Sequence, residues 1–102
     1  MYKLKRTQKS DNQLSNILYY VADSTGSIET AMKLANTVEN SILRLTEFPE
    51  SGTTPKYAIL ARQNFRVLIV KKYLIFYKVD SDAQFVTIYS VYDSSQEYIN
   101  LI

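Results

Sequence analysis

Cysteine and histidine are both absent from this 102-residue chain. Without cysteine there are no disulfides and no thiolate chemistry, a usage that fits a reducing cytosol, so a cytoplasmic location is expected. Without either residue a zinc site lacks its usual ligands, and no metal or cofactor is expected. The commonest general base is missing as well. No apolar run approaches the ~18 residues that a membrane span needs. The opening residues, MYKLKRTQKS, carry cations but no apolar segment behind them, and do not read as a secretory signal. Cations disappear from Asp80 onward, where the only charges are Asp80, Asp82, Asp93 and Glu97.

What is present suits one small domain over residues 1–102. Hydrophobic residues make up 46% of the chain and charged residues 22%, enough apolar material for a core and no polar tract that would prevent one. The net charge is only +2, but it is unevenly placed. Lys3, Lys5, Arg6 and Lys9 cluster at the start, and Lys56, Arg62, Arg66, Lys71, Lys72 and Lys78 fall in the middle. On one face these would form a patch for an anionic partner. Alternatively they are solvated side chains that keep strand edges apart, and composition alone favours that reading.

Periodicity supplies the elements. Residues 2–7, YKLKRT, alternate Leu4 with charge and predict an exposed or edge strand. Ser10 and Gln13 have capping-box spacing, followed by Leu14, Ile17, Leu18, Val21 and Ala22 on one helical face. Tyr19 and Tyr20 flank that stripe and suit a surface for a partner or for self-association. Gly26 suits a helix end, and Ser27 can cap a second helix whose apolar positions run from Ala31 to Leu45, stopped by Pro49. That helix is expected to span roughly 19 residues. Two amphipathic helices joined by a short turn read as a hairpin that needs a sheet beneath it. After the loop at 49–56, YAIL (57–60) predicts a short strand. FRVLIV, YLIFYKV and QFVTIYSVY predict three strong ones, the last two joined by a turn at DSDA (80–83). The expected fold is α+β in the order β-α-α-β-β-β-β. Two features resist the pattern. Arg66 stands inside a strand where a core would place valine. Lys71-Lys72 occupies a hairpin turn that prefers residues tolerant of positive φ.

The phrases LRLTEFPESG (43–52), FRVLIVKKYLIFYKVD (65–80) and VTIYSVYDSSQEY (86–98), in this order, resemble the RelE/ParE superfamily of bacterial type II toxin–antitoxin toxins. The resemblance covers essentially the whole chain, and FPESG and YLIFYKV look closer to ParE-type members. It implies a helical hairpin packed on a twisted, mainly antiparallel sheet. It also implies growth inhibition, a role in plasmid stabilisation modules, and a cognate antitoxin that binds the toxin in a hetero-oligomer. RelE-like toxins cut mRNA on the ribosome, whereas ParE-like toxins poison DNA gyrase. An inactive homologue that still binds its antitoxin is a further alternative. Fold alone does not choose among these.

A metal-independent endoribonuclease needs cations on the scissile phosphate and groups that move protons. The resemblance makes Arg66, Lys56 and Tyr98 the catalytic candidates of that reading. Arg62, Arg66, Lys71 and Lys72 are the candidates for contact with a target or antitoxin. Arg66 matches the strand arginine that grips phosphate in the ribonucleases, but ParE-like members often keep it too. As alternatives, Lys56 is simply solvated and Tyr98 packs its ring against the sheet. The ribonucleases carry cations or a His-Tyr pair after the last strand, whereas this chain has Asp93, Ser94, Ser95, Gln96 and Glu97. An acid beside a phosphate site would cost ~1 kcal/mol at short range. The gyrase reading is therefore preferred, with mRNA cleavage as the alternative.

Overall fold

A computed structural model describes residues 1–96 and residue 98 of the chain. The elements are β1 (Lys3–Arg6), α1 (Gln8–Thr25), α2 (Ile28–Leu43), a 3-10 turn (Arg44–Thr46), α3 (Ala58–Arg62), β2 (Arg66–Val70), β3 (Tyr73–Asp80) and β4 (Phe85–Asp93). They form an α+β fold with a four-stranded sheet in the order β1-β4-β3-β2. The β2–β3 and β3–β4 pairs are antiparallel, and β1 joins β4 in parallel at the opposite edge.

The helices begin and end for local reasons. Thr7 caps α1, its hydroxyl oxygen accepting from the Ser10 N–H at 3.1 Å and donating to the Tyr89 carbonyl at 2.9 Å. The cap thus lies three residues before the expected one at Ser10. Ser10 is instead buried and turns its hydroxyl back to the Thr7 carbonyl. Gln13, expected to complete that cap, reaches across to the sheet, and its Oε1 accepts from the Val91 N–H at 2.7 Å. This acceptor is needed because β1 pairs with β4 only as far as Ile88, leaving Val91 without a strand neighbour on that side. Gly26 ends α1 in the left-handed conformation at φ 66°, and Ser27 caps α2 by accepting from the Thr30 N–H. The second helix runs for 16 residues and then tightens into the 3-10 turn, where the Thr46 hydroxyl closes on the Leu43 carbonyl at 2.7 Å.

YAIL is not a strand. Residues 58–62 form the one-turn helix α3, with the Leu60 and Ala61 N–H groups both bonded to the Tyr57 carbonyl. A short apolar run has no periodicity that separates helix from strand. The edge such a strand would have covered is met by Thr53, which exchanges both backbone hydrogen bonds with Val67 at 2.8 and 2.9 Å. Among the described residues the sheet therefore has four strands, in the order β-α-α-β-β-β.

Both sheet faces carry packing. The hairpin of α1 and α2 buries Leu14, Leu34, Val38 and Ile42 against Val70, Tyr73, Ile75, Tyr77, Val86 and Ile88. Each such side chain contributes about 1.5–3 kcal/mol when fully buried. On the other face a smaller cluster gathers Leu60, Phe65, Val67, Phe76, Tyr92 and Tyr98. A bidentate ion pair between Arg6 and Glu39 ties β1 to α2.

Candidate functional site

Arg66 opens β2 opposite Tyr77. Paired residues share a face of an antiparallel sheet, so its side chain leaves on the helix-covered side with Tyr77. There the Nη2 group donates to the Glu50 and Gly52 carbonyls, at 2.7 Å each. Arg66 Nε is buried without a hydrogen-bond partner, and among the described residues no carboxylate pairs with this guanidinium. The same loop is held from a second side, where the Gly52 N–H donates to the Tyr77 hydroxyl at 2.9 Å. The misfit arginine of the strand is thus a clamp on the FPESG loop, one element of a lock made with Gly52 and Tyr77.

Tyr98 lies on the opposite face. It is 5% exposed, stacked on Tyr92 at 5.9 Å between centroids and tilted against Phe76 at 5.2 Å. Its ring also makes a T-shaped pair with Tyr57, at 5.4 Å between centroids. Lys56 is exposed, with its ammonium 5.2 Å from the Tyr57 ring centre. Lys56 is therefore near the Tyr57–Tyr98 pair, while Arg66 points away through the other side of the sheet. The three catalytic candidates do not converge on one surface.

The contact candidates are also dispersed. Arg62 is exposed in the last turn of α3. Lys71 and Lys72 form the two-residue corner between β2 and β3, the length of β2 away from Arg66, or about 16 Å at the usual rise per residue. Lys71 takes φ 54° and Lys72 does not share that region, the pattern of φ signs of a type II′ turn. Lysine stands in this unfavourable corner with a use for its charge, since Lys72 Nζ meets the Asp93 carboxylate at 3.2 Å. The Lys72 carbonyl also accepts from the Ser94 N–H.

Asp93 is thereby not a bare acid after the last strand. Hydrogen bonds from the Ser95 N–H and hydroxyl, at 2.9 and 2.8 Å, hold its carboxyl below the usual range, with Lys72 adding to them. Lys72 is raised in turn, chiefly by its bond to Asp93. A carboxyl with a lowered folded pKa stabilises the fold above its unfolded pKa and loses that contribution as pH falls. A lysine with a raised pKa loses its contribution only as pH rises through the alkaline range. The turn at 93–96 should therefore hold its structure between about pH 4 and pH 10 and loosen on acidification below that window. The Ser94 and Ser95 amide resonances are expected to shift together as pH is lowered through the carboxylate range, whereas no change on acidification would contradict the assignment.

Sequence reasoning missed one grouping. The sheet face away from the helices keeps an open region towards β1, where Lys5 Nζ stands 4.0 Å above the Phe85 ring. Lys78 Nζ stands 4.5 Å from the Phe65 centroid and 5.3 Å from that of Tyr89. The available signal was strand parity: Lys78 alternates with the buried Tyr77, and Lys5 with Leu4.

The sequence matches the ParE toxin of the type II toxin–antitoxin system parDE, over residues 4–98. The chain belongs to the ParE toxin family. Among solved structures it is similar to the chromosomal ParDE TA system from P. aeruginosa. The likeness has a TM-score of 0.73 at 18% identity and covers 91% of this chain and 96% of that one. At that identity it shows a shared fold. Among curated proteins no similar sequence was found. The ParE assignment agrees with the element order, with β1 returned beside β4 under the helical hairpin. No helix among the described residues is long and apolar enough to cross a membrane.

Proposed function

We propose that this ParE-family protein is the toxin of a type II toxin–antitoxin module, acting in the cytoplasm by binding DNA gyrase and held inactive by a cognate antitoxin. The observation that carries the choice of a binding mechanism over mRNA cleavage is the separation of Arg66 from Lys56 and Tyr98 by the thickness of the sheet. In-line phosphoryl transfer needs its cations and proton-transfer groups at one point, within a few tenths of an ångström of their working positions. Here the arginine is engaged by loop carbonyls and the tyrosine is enclosed by rings.

The antitoxin expectation is supported by exposed apolar surface on the helical hairpin. Tyr19, Ile28 and Met32 are 76%, 73% and 61% exposed and border a shallow groove of about 460 Å³ floored by Leu18, Ala22 and Ala31. Contiguous apolar surface of this kind suits the apolar side of an amphipathic antitoxin segment.

The test in cells is expression of the chain alone and together with the protein encoded beside it. Growth is expected to stop in the first case and to resume in the second, with primer extension showing no ribosome-dependent cuts in mRNA. Such cuts, abolished by Arg66→Ala while the variant stays folded, would replace this reading with the mRNA interferase. Normal growth of cells that accumulate the folded chain would identify an inactive antitoxin-binding homologue.

A further inference from the structure

A cavity of about 290 Å³ opens where the N-terminal turn of α1 meets β3 and β4, and its walls include Thr7, Lys9, Phe65, Lys78, Tyr89 and Ser90. Two of these residues are cations, and among the described residues no acidic one lines the cavity. No carboxylate among the described residues lies within ion-pair distance of Lys78. Its ammonium is held over Phe65 and Tyr89, an arrangement that fixes its position without neutralising it. Lys9 stands over the Tyr92 ring at 5.8 Å, in the first turn of an 18-residue helix whose backbone dipoles favour negative charge.

The independent sign of a ligand is Ser90. This residue is 2% exposed, faces Phe76 across the β3–β4 ladder, and its Oγ has no hydrogen-bond partner. A hydroxyl buried without a partner is costly and rare enough to need an explanation. Its place in the wall of a cavity that Lys78 also lines supplies one: the donor is kept for an acceptor that comes from outside.

We propose that this cavity is a binding site for a phosphate oxyanion, gripped by Lys78 and completed by the Ser90 hydroxyl beside the first turn of α1. The volume is at the small end for ligand sites, room for one phosphate with part of what it is attached to. The phosphate comes either from a free nucleotide or from the backbone of a nucleic acid. The site is distinct from the Arg66 lock, which lies on the other side of the sheet, and it does not depend on which cellular target the toxin has.

The experiment is a titration of the ¹⁵N-labelled full chain, followed by amide resonances, with inorganic phosphate, with adenosine 5′-monophosphate and with a short single-stranded DNA lacking terminal phosphates. Sodium chloride at matched ionic strength is the control. The expected result is saturable shifts centred on residues 7–10, Lys78 and Ser90, absent with chloride. Lys78→Gln and Ser90→Ala should each weaken binding roughly tenfold, as loss of one charge-assisted hydrogen bond does. Lys33→Gln, on the outer surface of α2 and paired with Glu29, should not. Tightest binding of the monophosphate assigns the nucleotide source, and tightest binding of the DNA assigns the backbone. Absence of saturable shifts with all three ligands, or binding that survives both variants unchanged in folded protein, would overturn the proposal.

Discussion

Replacing Gly52 with alanine is expected to destabilise the fold by about 2–3 kcal/mol, the upper part of the range for overpacking a rigid site. A Cβ at this position would lie 2.5 Å from the Tyr77 hydroxyl oxygen, 2.7 Å from the Val67 carbonyl oxygen and 2.8 Å from Tyr77 Cε1. None of these atoms can give way cheaply. Tyr77 is fully buried in the helix-side core, and the Val67 carbonyl is committed to the Thr53 N–H. Moving the loop instead would break the bond from the Gly52 N–H to the Tyr77 hydroxyl and pull both carbonyls away from Arg66. The need for glycine here is one of space alone. In thermal unfolding the variant should melt at least about 10 °C below the parent. A melting point unchanged within ~2 °C would show that the loop does not pack against Tyr77.

Arg66→Ala is expected to cost about 1.5–2 kcal/mol without any target present, because it removes two short bonds from a charged donor to the Glu50 and Gly52 carbonyls. The buried, unpartnered Nε is lost with them, which offsets part of the cost. The cost lies at the low end for two such bonds because one of them is exposed to solvent. The melting point should fall by about 6–12 °C. Arg66→Lys should recover less than half of it, since a single ammonium cannot present the planar fork that bridges two carbonyls. An arginine reserved for catalysis behaves differently: removing it usually leaves stability unchanged or raises it. Urea denaturation of the two variants beside the parent separates these cases, and unchanged midpoints for both would remove the clamp from the account.

The helices and the three long strands were legible because their signals are local. Apolar spacing at Leu14–Val21 and Ala31–Leu45 sets the helical faces, and β-branched and aromatic runs set β2, β3 and β4. The Gly26 and Ser27 boundary was legible for the same reason. The start of α1 was not, because Thr7 and Ser10 both have capping chemistry and only the Tyr89 carbonyl, 82 positions away from Thr7, decides between them. YAIL failed because four apolar residues carry no period, and the deciding contact, Thr53 with Val67, lies outside the run.

The site was less legible than the fold. Arg66 stood out as a misfit, but nothing in its neighbours says that its partners are backbone carbonyls 14 and 16 residues earlier. Tyr98 could be read from the sequence either as a catalytic group or as a ring packed on the sheet, and its ring lies in a cluster with Leu60 of α3, Val67 of β2, Phe76 of β3 and Tyr92 of β4. Asp93 read as a repulsive charge until Lys72, brought alongside by the β2–β3 corner, and Ser95 were seen to neutralise and hold it. Each of these misses concerns a partner supplied by the tertiary fold.

The central claim is that the protein acts by binding gyrase and not by cutting RNA. It is tested most directly by incubating the purified chain with DNA gyrase, plasmid and ATP, then removing protein with detergent and protease. The account predicts linear plasmid that accumulates with toxin concentration and disappears when the antitoxin is added first. Plasmid that is supercoiled normally at saturating toxin, alongside ribosome-dependent cleavage of mRNA by the same preparation, would contradict it.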